Sequence, residues 1–434
     1  MRFSTITLGC KVNLYETESL ISNLIKHNWD YQKDAFDVDV VIINTCTVTS
    51  TSDQKSRQMI HQARRNNPQA IIVAMGCFVQ THQEDAMKIA DIMIGTKDKL
   101  RVYELVTEYQ NTKQQIDHLF KLDEITTYDE MKLDRLTTHT RGFVKIQDGC
   151  ENFCSYCLIP YARGKIRSRK PEYIIDEIQQ LVRLGTKEVI ISGINTGTYG
   201  QDFGNINLAQ LIEKIMNETT LYRLRLSSIE LMEVTDELLM IMKKYENRVA
   251  QHLHIPLQGG SDGVLTRMRR KYLTSDYFQL ITKIRSFFPN IAITTDCLAG
   301  FVGETEEEFD ETITFIKKIG FASMHVFPYS RRKGTFADQM DGHLDQKVIK
   351  QRALKMIEVA NQMKDAYENK FIGHIVDVLI ERKKDNLYVG HSSNYLEIFC
   401  ETNLTNLENK MVICKILKKE KEALYASVLE VKHE

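Results

Sequence analysis

Runs rich in Ile and Val alternate with helical patterns along the first 110 residues of the chain. Strands are predicted at residues 4–8, 38–43 and 70–74, and helices between them at residues 16–27 and 52–66. Strands that alternate with helices form parallel sheets with crossover helices. The pattern therefore predicts an α/β domain over residues 1–110.

The same alternation returns at residue 142 and continues to about residue 370. Six strands are predicted at residues 142–146, 188–192, 223–227, 252–256, 291–295 and 323–327. Helices are predicted at residues 171–184, 208–218, 236–245, 263–270, 275–288 and 304–319, with a long helix from residue 345. This order predicts a parallel (β/α)6 barrel, open on one side, over residues 139–370. Active-site residues should then sit at the carboxyl ends of its strands.

From residue 373 the pattern changes to short strands joined by polar turns. These strands are predicted at residues 375–380, 387–390, 395–399, 411–416 and 424–429. Five short strands in a row are typical of a small all-β barrel, which we place at residues 371–434. Residues 111–138 are polar and lack a clear repeat, and we interpret them as a linker.

Composition narrows the class of protein. The chain has 434 residues, 43% of them apolar, with only 21 Gly and 6 Pro, which is typical of an ordered globular protein. A net charge of −1 argues against a general nucleic-acid coat, although local basic runs can still bind a phosphate backbone. No apolar stretch is long enough for a membrane span or a signal segment. We expect a cytoplasmic protein without a membrane partner.

Nine Cys are too few for a disulfide scaffold in so long a chain, so metal ligation is favoured. Cys150, Cys154 and Cys157 are separated by three and then two residues. Three thiolates hold three irons of a 4Fe-4S cube and leave the fourth iron open for chemistry. The alternative is a structural zinc site, which wants a fourth Cys or His. None lies in residues 150–170 outside the triad.

Three other Cys residues each follow a predicted strand of the first domain. They are Cys10, Cys46 and Cys77, and they are flanked by Gly, Asn or Thr. The carboxyl ends of parallel strands share one edge of a sheet, so these thiols could be neighbours in space. Buried Cys can also serve as a small apolar residue. Because soft thiolates suit iron–sulfur clusters, we favour a second metal centre.

The chain resembles a known enzyme family over essentially its whole length. The spacing Cys150 to Cys157, with Tyr156 before the last thiol, is similar to the signature of radical S-adenosylmethionine (SAM) enzymes. Residues 8–18, 44–48, 76–77 and 147–164 resemble the methylthiotransferases. Among their branches, Gly9-Cys10-Lys11-Val12-Asn13 is most similar to the one that modifies threonylcarbamoyladenosine in tRNA.

The resemblance implies two 4Fe-4S clusters and SAM as cofactors, with tRNA as the partner. One SAM would methylate a sulfur on the cluster of Cys10, Cys46 and Cys77, and a second would yield the radical that activates the adenosine 3′ of the anticodon, tRNA position 37. The electron donor and the sulfur source would be external. The last domain resembles the RNA-binding TRAM module. Alternatives are isopentenyladenosine or a ribosomal-protein Asp as acceptor, or a non-catalytic iron–sulfur RNA-binding protein.

The predicted strand ends of the central barrel are polar or Gly-rich, as a ligand pocket requires. In the family these segments surround SAM, and the resemblance assigns that role to Asn195, Glu230, Gln258, Ser261 and Asp296. The chain departs from the family at Gly259, where Ser is usual, and at Val302, where Pro is usual.

Basic residues provide the substrate candidates. Threonylcarbamoyladenosine carries a carboxylate that needs a cationic or hydrogen-bonding partner, for which we name Lys11, Arg331 and Arg332. The basic runs 163–170 and 267–271 follow strand ends and are expected to form a rim that binds RNA phosphates. Lys418, Lys419 and Lys421 would serve the last domain in the same way.

Overall fold

A computed structural model describes residues 1–133 and 140–432 of the chain. The last residues of the predicted linker, 134–138, lie outside the described residues, as do residue 139 and residues 433–434. Within the described parts, no helix combines the length and the apolar character that a bilayer span requires.

The N-terminal domain is built on a parallel sheet, as predicted, but the sheet has six strands where the sequence indicated three. Its strands are β1 (Arg2–Thr7), β2 (Asp30–Tyr31), β3 (Val40–Thr45), β4 (Ile71–Gly76), β5 (Ile92–Ile94) and β6 (Ile116–His118). They lie in the order β2-β1-β3-β4-β5-β6. Because β6 pairs with β5, the stretch interpreted as a linker begins as part of this sheet.

Helices cover both faces of the sheet. They are α1 (Lys11–Lys26), α2 (Ser50–Asn66), α3 (Cys77–Thr81), α4 (Gln83–Met87) and α5 (Val102–Thr112). Separate apolar cores fill the two sides, one around Leu20 and Val73 and the other around Ile43 and Ile60. Helix α1 begins at Lys11 rather than at residue 16, so Lys11 belongs to a helical first turn and not to a loop.

Six parallel strands form the wall of the central barrel, which confirms the predicted fold class. The strands of this region are β7 (Gly142–Lys145), β8 (Gln147–Asp148), β9 (Arg167–Ser168), β10 (Glu188–Ser192), β11 (Arg223–Leu226), β12 (His252–His254), β13 (Ala292–Ala299) and β14 (Ser323–Pro328). Two parallel sheets, β11-β10-β7 and β12-β13-β14, are joined by bridges from Leu224 to Val249 and from Ser228 to His254. The short pair β8 and β9 is antiparallel.

Helices surround this wall on its outer side. They are α7 (Pro171–Arg183), α8 (Leu208–Glu218), α9 (Asp236–Lys244), α10 (Asp262–Arg267), α11 (Thr274–Phe287), α12 (Glu306–Ile319) and α13 (Gln346–Asn369). The short helix α6 (Ile159–Arg163) instead packs against α3 of the N-terminal domain. Short 3₁₀ turns lie at Lys99–Arg101, Thr196–Thr198, Leu231–Glu233 and Ala337–Gln339. Reciprocal capping fixes two helix starts, since Asn207 pairs with Gln210 and Thr305 with Glu308.

The C-terminal domain is a closed five-stranded barrel, as predicted. Its strands are β15 (Ile375–Lys384), β16 (Leu387–Ser392), β17 (Glu397–Glu401), β18 (Met411–Glu420) and β19 (Ala423–Val431). They close in the order β15-β16-β17-β19-β18.

The two outer domains contact opposite ends of the central barrel. Tyr395 of the C-terminal domain stacks on His252, with ring centroids 4.8 Å apart, and Arg225 donates to the Ser392 carbonyl at 3.0 Å. His252 opens its strand, so these contacts lie at the amino ends of the wall. Lys145 closes β7 and binds Glu16 of the N-terminal domain at 2.8 Å. The N-terminal domain therefore covers the carboxyl ends, where a barrel of this kind carries its active site.

Candidate active site

The three N-terminal thiols follow adjacent strands. Cys10, Cys46 and Cys77 come directly after β1, β3 and β4, which are neighbours in the sheet. Cys46 lies within electrostatic range of the other two thiols, since the charges of Cys77 and Cys10 add to burial in raising its pKa. The structure thus brings together the three Cys residues that the sequence places dozens of residues apart.

Two glycines let the chain pass close to these thiols. Gly9 and Gly76 precede Cys10 and Cys77 at φ values of +98° and +100°. A Cβ atom on Gly9 would lie 2.7 Å from Cys46 Sγ, and one on Gly76 would lie 2.6 Å from Asn44 Oδ1. A side chain at either position would collide with the triad or its support, and both φ values favour glycine.

Burial raises the pKa of two of these thiols, Cys46 and Cys10. It raises the pKa of Cys46 to about 11 and is the main cause of the raised pKa of Cys10. Cys10 is nevertheless accessible as a residue, which is expected of a side chain that lines a cleft between domains. A buried thiolate needs a compensating positive charge, which a metal centre or a nearby cation supplies.

Such cations are present beside Cys77. Arg163 is fully buried, and its Nε donates to Cys77 Sγ at 3.1 Å. Its other nitrogens donate to Glu16 Oε1 at 2.7 Å and to Asp148 Oδ2 at 3.1 Å. Lys145 Nζ contacts the same two carboxylates.

Lys99 also pairs with Glu16 and Arg167 with Asp148, so four buried cations face two carboxylates here. The excess positive charge suits anionic sulfur ligands. The N-terminal triad therefore fits a thiolate-bound iron–sulfur cluster.

The second triad lies in the loop between β8 and α6. Cys150, Cys154 and Cys157 are partly buried, and burial raises the pKa of Cys150 to about 11 and that of Cys157 to about 12. Arg270 Nη1 lies 3.3 Å from Cys154 Sγ and has a side chain only 3% exposed. Each triad thus has one buried arginine against one of its sulfurs.

The donor geometry bears on the zinc alternative. Over residues 1–133 and 140–432, no group of three or more His, Cys, Asp and Glu side chains converges on a single ion-sized position. A tetrahedral zinc site requires four ligands around one ion, whereas the thiols of a cubane each bind a different iron. Each triad supplies three thiols, one for each of three irons, which is the donor set that such a cubane requires.

A short helix joins the two triads. Helix α6 begins two residues after Cys157 and ends at Arg163, and it packs against α3, which begins at Cys77. The backbone amide of Cys150 also donates to the Gly164 carbonyl at the end of α6, at 3.0 Å. The two candidate cluster sites are therefore held in a fixed relation to each other.

Four of the predicted SAM residues lie on the loops beyond the strands, and the structure shows what each contacts. The Asn195 amide donates to Glu233 Oε1 at 3.2 Å, and Glu230 pairs with Arg270. Gln258 has a φ of +64°, an uncommon backbone that is often found at ligand sites. The Ser261 hydroxyl donates to Glu311 at 2.6 Å. Their role in SAM binding stays a prediction.

Asp296 is engaged by two imidazoles. Its Oδ1 lies 3.1 Å from His325 Nδ1 and its Oδ2 lies 3.3 Å from His254 Nε2. Burial alone would raise the pKa of Asp296, but the two histidines outweigh it and lower the pKa. Contact between Asp296 and SAM stays a prediction, and its observed partners belong to the barrel interior.

The substrate candidates occupy three different environments. Arg332 is buried and donates to the Thr47 carbonyl at 2.7 Å and to Asp53 at 3.0 Å, next to Cys46. Arg331 is exposed and pairs with Asp338 at 2.6 Å. Lys11 is accessible at the start of α1. The structure does not bring the two arginines and Lys11 together.

The expected RNA rim is wrong for four of its arginines. Arg163, Arg167 and Arg169 are all at least 97% buried, and the Arg270 side chain is only 3% exposed, so they cannot meet a phosphate backbone. Arg169 instead forms an ion pair with Glu177 and binds Tyr15 of the N-terminal domain. In these runs the exposed cations are Lys165, Lys170, Arg269 and Lys271.

The two departures from the family pattern lie near one small core. Val302 is fully buried in a cluster with Val264 and Phe301, and a Cβ atom on Gly259 would lie 2.9 Å from Val264 Cγ1. The two changes therefore affect packing beside the loops that carry the predicted SAM residues.

Comparisons with known proteins follow the same division of the chain. Residues 144–316 match the radical SAM superfamily, and residues 2–95 match uncharacterized protein family UPF0004. The radical SAM methyltransferase TsrM from Kitasatospora setae shares the fold, with a TM-score of 0.58 at 14% identity over 76% of this chain and 73% of that one. The fold and the Cys150 triad thus define a radical SAM enzyme.

Sequence relatives narrow the class further. Threonylcarbamoyladenosine tRNA methylthiotransferase MtaB of Bacillus subtilis is 39% identical over 95% of this chain and 93% of its own. The tRNA-2-methylthio-N(6)-dimethylallyladenosine synthase of Caldicellulosiruptor saccharolyticus is 33% identical over 98% of this chain and 92% of its own. The chain belongs to the radical SAM tRNA methylthiotransferase family.

Proposed function

We propose that this enzyme adds a methylthio group to N6-threonylcarbamoyladenosine beside the anticodon of tRNA, using SAM and two 4Fe-4S clusters. The acceptor is supported by the Bacillus subtilis relative, whose name states this modified base. The observation that carries the two-centre chemistry is the contact between the triads through α6, with Arg163 Nε at 3.1 Å from Cys77 Sγ.

The cofactors, when bound, supply the electron, the carbon radical and the sulfur that no side chain can supply. The chain holds them and positions the acceptor. Arg163 and Arg270 each place a cation against a thiol, which favours the thiolate that binds iron. Tyr395 and His252 close the amino end of the barrel. The flipped base then enters from the end where both triads lie.

The assay of the acceptor uses purified, reconstituted enzyme with three tRNA preparations. One carries threonylcarbamoyladenosine, one carries isopentenyladenosine, and one lacks both modifications. Mass spectrometry of the nucleosides should find the methylthio product with the first tRNA alone. Equal turnover on unmodified tRNA, or turnover on isopentenylated tRNA alone, would contradict the acceptor and leave the radical chemistry in place. The external electron donor, the sulfur source and the cytoplasmic location stay predictions.

The number of clusters has its own test. Replacing Cys150, Cys154 and Cys157 with Ala should leave about half of the iron, because each cube has its own ligands. The reciprocal replacement of Cys10, Cys46 and Cys77 should leave the other half. Complete loss of iron in either triple variant would contradict two independent sites.

A further inference from the structure

Two aromatic side chains of β14 point into the central barrel and reach solvent. Met324 and Val326 of this strand pack into the outer apolar core, so the alternating residues His325 and Phe327 face the interior. The His325 side chain is 68% exposed, and Phe327 is 41% exposed. A large apolar ring therefore lines the inner wall beside an imidazole.

Asp296 orients that imidazole. The two residues are register partners on β13 and β14, and His325 Nδ1 donates to Asp296 Oδ1 at 3.1 Å. With Nδ1 held, Nε2 is the ring nitrogen directed to a ligand. The bond to Asp296 also raises the pKa of His325, which favours the imidazolium with a donor on Nε2.

A cation from the N-terminal domain faces the same space. Lys11 is the exposed first residue of α1, and this helix packs against β7 of the barrel wall, where Glu16 binds Lys145 at 2.8 Å. Lys11 follows Cys10 directly, which places this cation between the N-terminal triad and the inner wall.

We infer that Lys11, His325 and Phe327 form the pocket for the modified adenosine, which rests on the function proposed above and deepens it. The Phe327 ring stacks on the base, as aromatic side chains do with unstacked nucleobases. Lys11 and the imidazolium of His325 bind the carboxylate of the threonylcarbamoyl group through charge-assisted hydrogen bonds. An isopentenyl group offers these two donors no acceptor, so the pair also selects between the two modified bases.

The test compares anticodon stem-loops that carry threonylcarbamoyladenosine or its neutral carboxamide. The wild-type enzyme should prefer the acid. In Lys11→Met or His325→Gln that preference should fall by about tenfold to a hundredfold, mainly in KM and in equilibrium binding. His325→Lys, which keeps a cation at this position, should retain the preference for the acid. Phe327→Ala should weaken both ligands equally.

Matched controls are Lys55→Met, His61→Gln and Phe36→Ala, which change exposed residues of the N-terminal domain. Iron content should be unchanged in every variant, which separates a binding role from loss of the cluster or the fold. Undiminished preference for the acid in both Lys11→Met and His325→Gln would overturn the inference while leaving the acceptor assignment standing. Failure of the wild-type enzyme to modify threonylcarbamoyladenosine would instead overturn the proposed function itself.

Discussion

Arg163 of the radical SAM domain donates from Nε to Cys77 Sγ of the N-terminal domain at 3.1 Å. The same guanidinium binds Glu16 and Asn13 of the N-terminal domain and Asp148 of its own. One side chain thus couples the interface between two domains to the environment of a candidate cluster ligand.

Replacing Arg163 with Met should destabilise the protein by about 3–5 kcal/mol, because it leaves buried carboxylates short of a partner. The free energy of unfolding, from urea titration of metal-free protein, measures this. Lys165→Met is the matched control, since Lys165 is exposed two residues away, and it should change stability by less than about 0.5 kcal/mol. Equal effects of the two variants would refute a special role for the buried cation.

Arg332 and Arg331 offer a second matched pair. Arg332 fixes the loop after Cys46 through Thr47 and Asp53, and a lysine cannot reproduce this fork of donors. In a background that lacks Cys150, Cys154 and Cys157, Arg332→Lys should therefore lower the iron bound per chain. Arg331→Lys should not, because Arg331 is exposed and its guanidinium pairs with Asp338 rather than with the loop after Cys46. The iron content per chain is measured after reconstitution. Full iron content in both variants would show that Arg332 is not needed to hold the loop of Cys46 for iron binding.

These residues show where sequence reasoning succeeded and where it stopped. The grouping of six Cys residues into two triads could be predicted because spacing and position after a strand are local features, and their role as cluster ligands stays a prediction. The partners of Arg163 were not, because its contact with Cys77 joins residues 86 positions apart. Basic runs predict solvent-facing cations, and burial of Arg163 and Arg169 depends on carboxylates of other elements.

The need to know the fold also explains why the sequence alone did not single out His325 and Phe327 as site residues. Alternation along β14 predicts that they share a face, but the sequence does not tell which face is the inside of an open barrel. Arg270 was likewise visible as part of a basic run, and only the fold places it against Cys154.

Glu188 should make stability depend on pH. Burial opposes its ionisation, but Arg225 and Arg223 lower its pKa to about 2, against an ordinary value of 4.5. A lowered carboxyl pKa stabilises the fold above the unfolded value, and that stability is lost as the pH falls from about 4.5 to about 2. The shift corresponds to about 3 kcal/mol.

The measurement compares unfolding of wild-type protein and Glu188→Gln in urea between pH 2 and pH 6. The difference in unfolding free energy should be largest above pH 5 and shrink toward pH 2. Glu246→Gln, a surface change, should give a difference that does not vary in this way. A pH-independent difference for Glu188→Gln would show that the ion pairs with Arg223 and Arg225 do not set this pKa.

The lysines of the β18–β19 hairpin should differ in role, with some contributing to RNA binding and one to stability. Lys419 is nearly buried and binds Glu368 of α13 at 2.6 Å, whereas Lys418 is half exposed and pairs with exposed Glu420. If the C-terminal barrel binds tRNA, Lys418→Met with Lys421→Met should reduce the salt slope of binding by about 1.5, at nearly one unit per phosphate contact.

Lys419→Met should leave that slope unchanged and cost about 1–3 kcal/mol of stability, because it leaves Glu368 without this cation. Binding isotherms at several salt concentrations and a urea titration measure the two effects. A reduced slope in Lys419→Met would place this lysine at the RNA surface after all.

The packing of Tyr395 limits how the C-terminal barrel can move relative to the central barrel. The residue has a φ of +63° and lies between His252, His391 and Arg225, so the C-terminal barrel cannot swing without breaking this stack. An RNA held at one end by that barrel and at the other by the pocket near Cys10 must span a fixed distance. Under the proposed function, the folded chain would therefore work as a ruler and would select an adenosine by its position along the RNA as well as by its substituent.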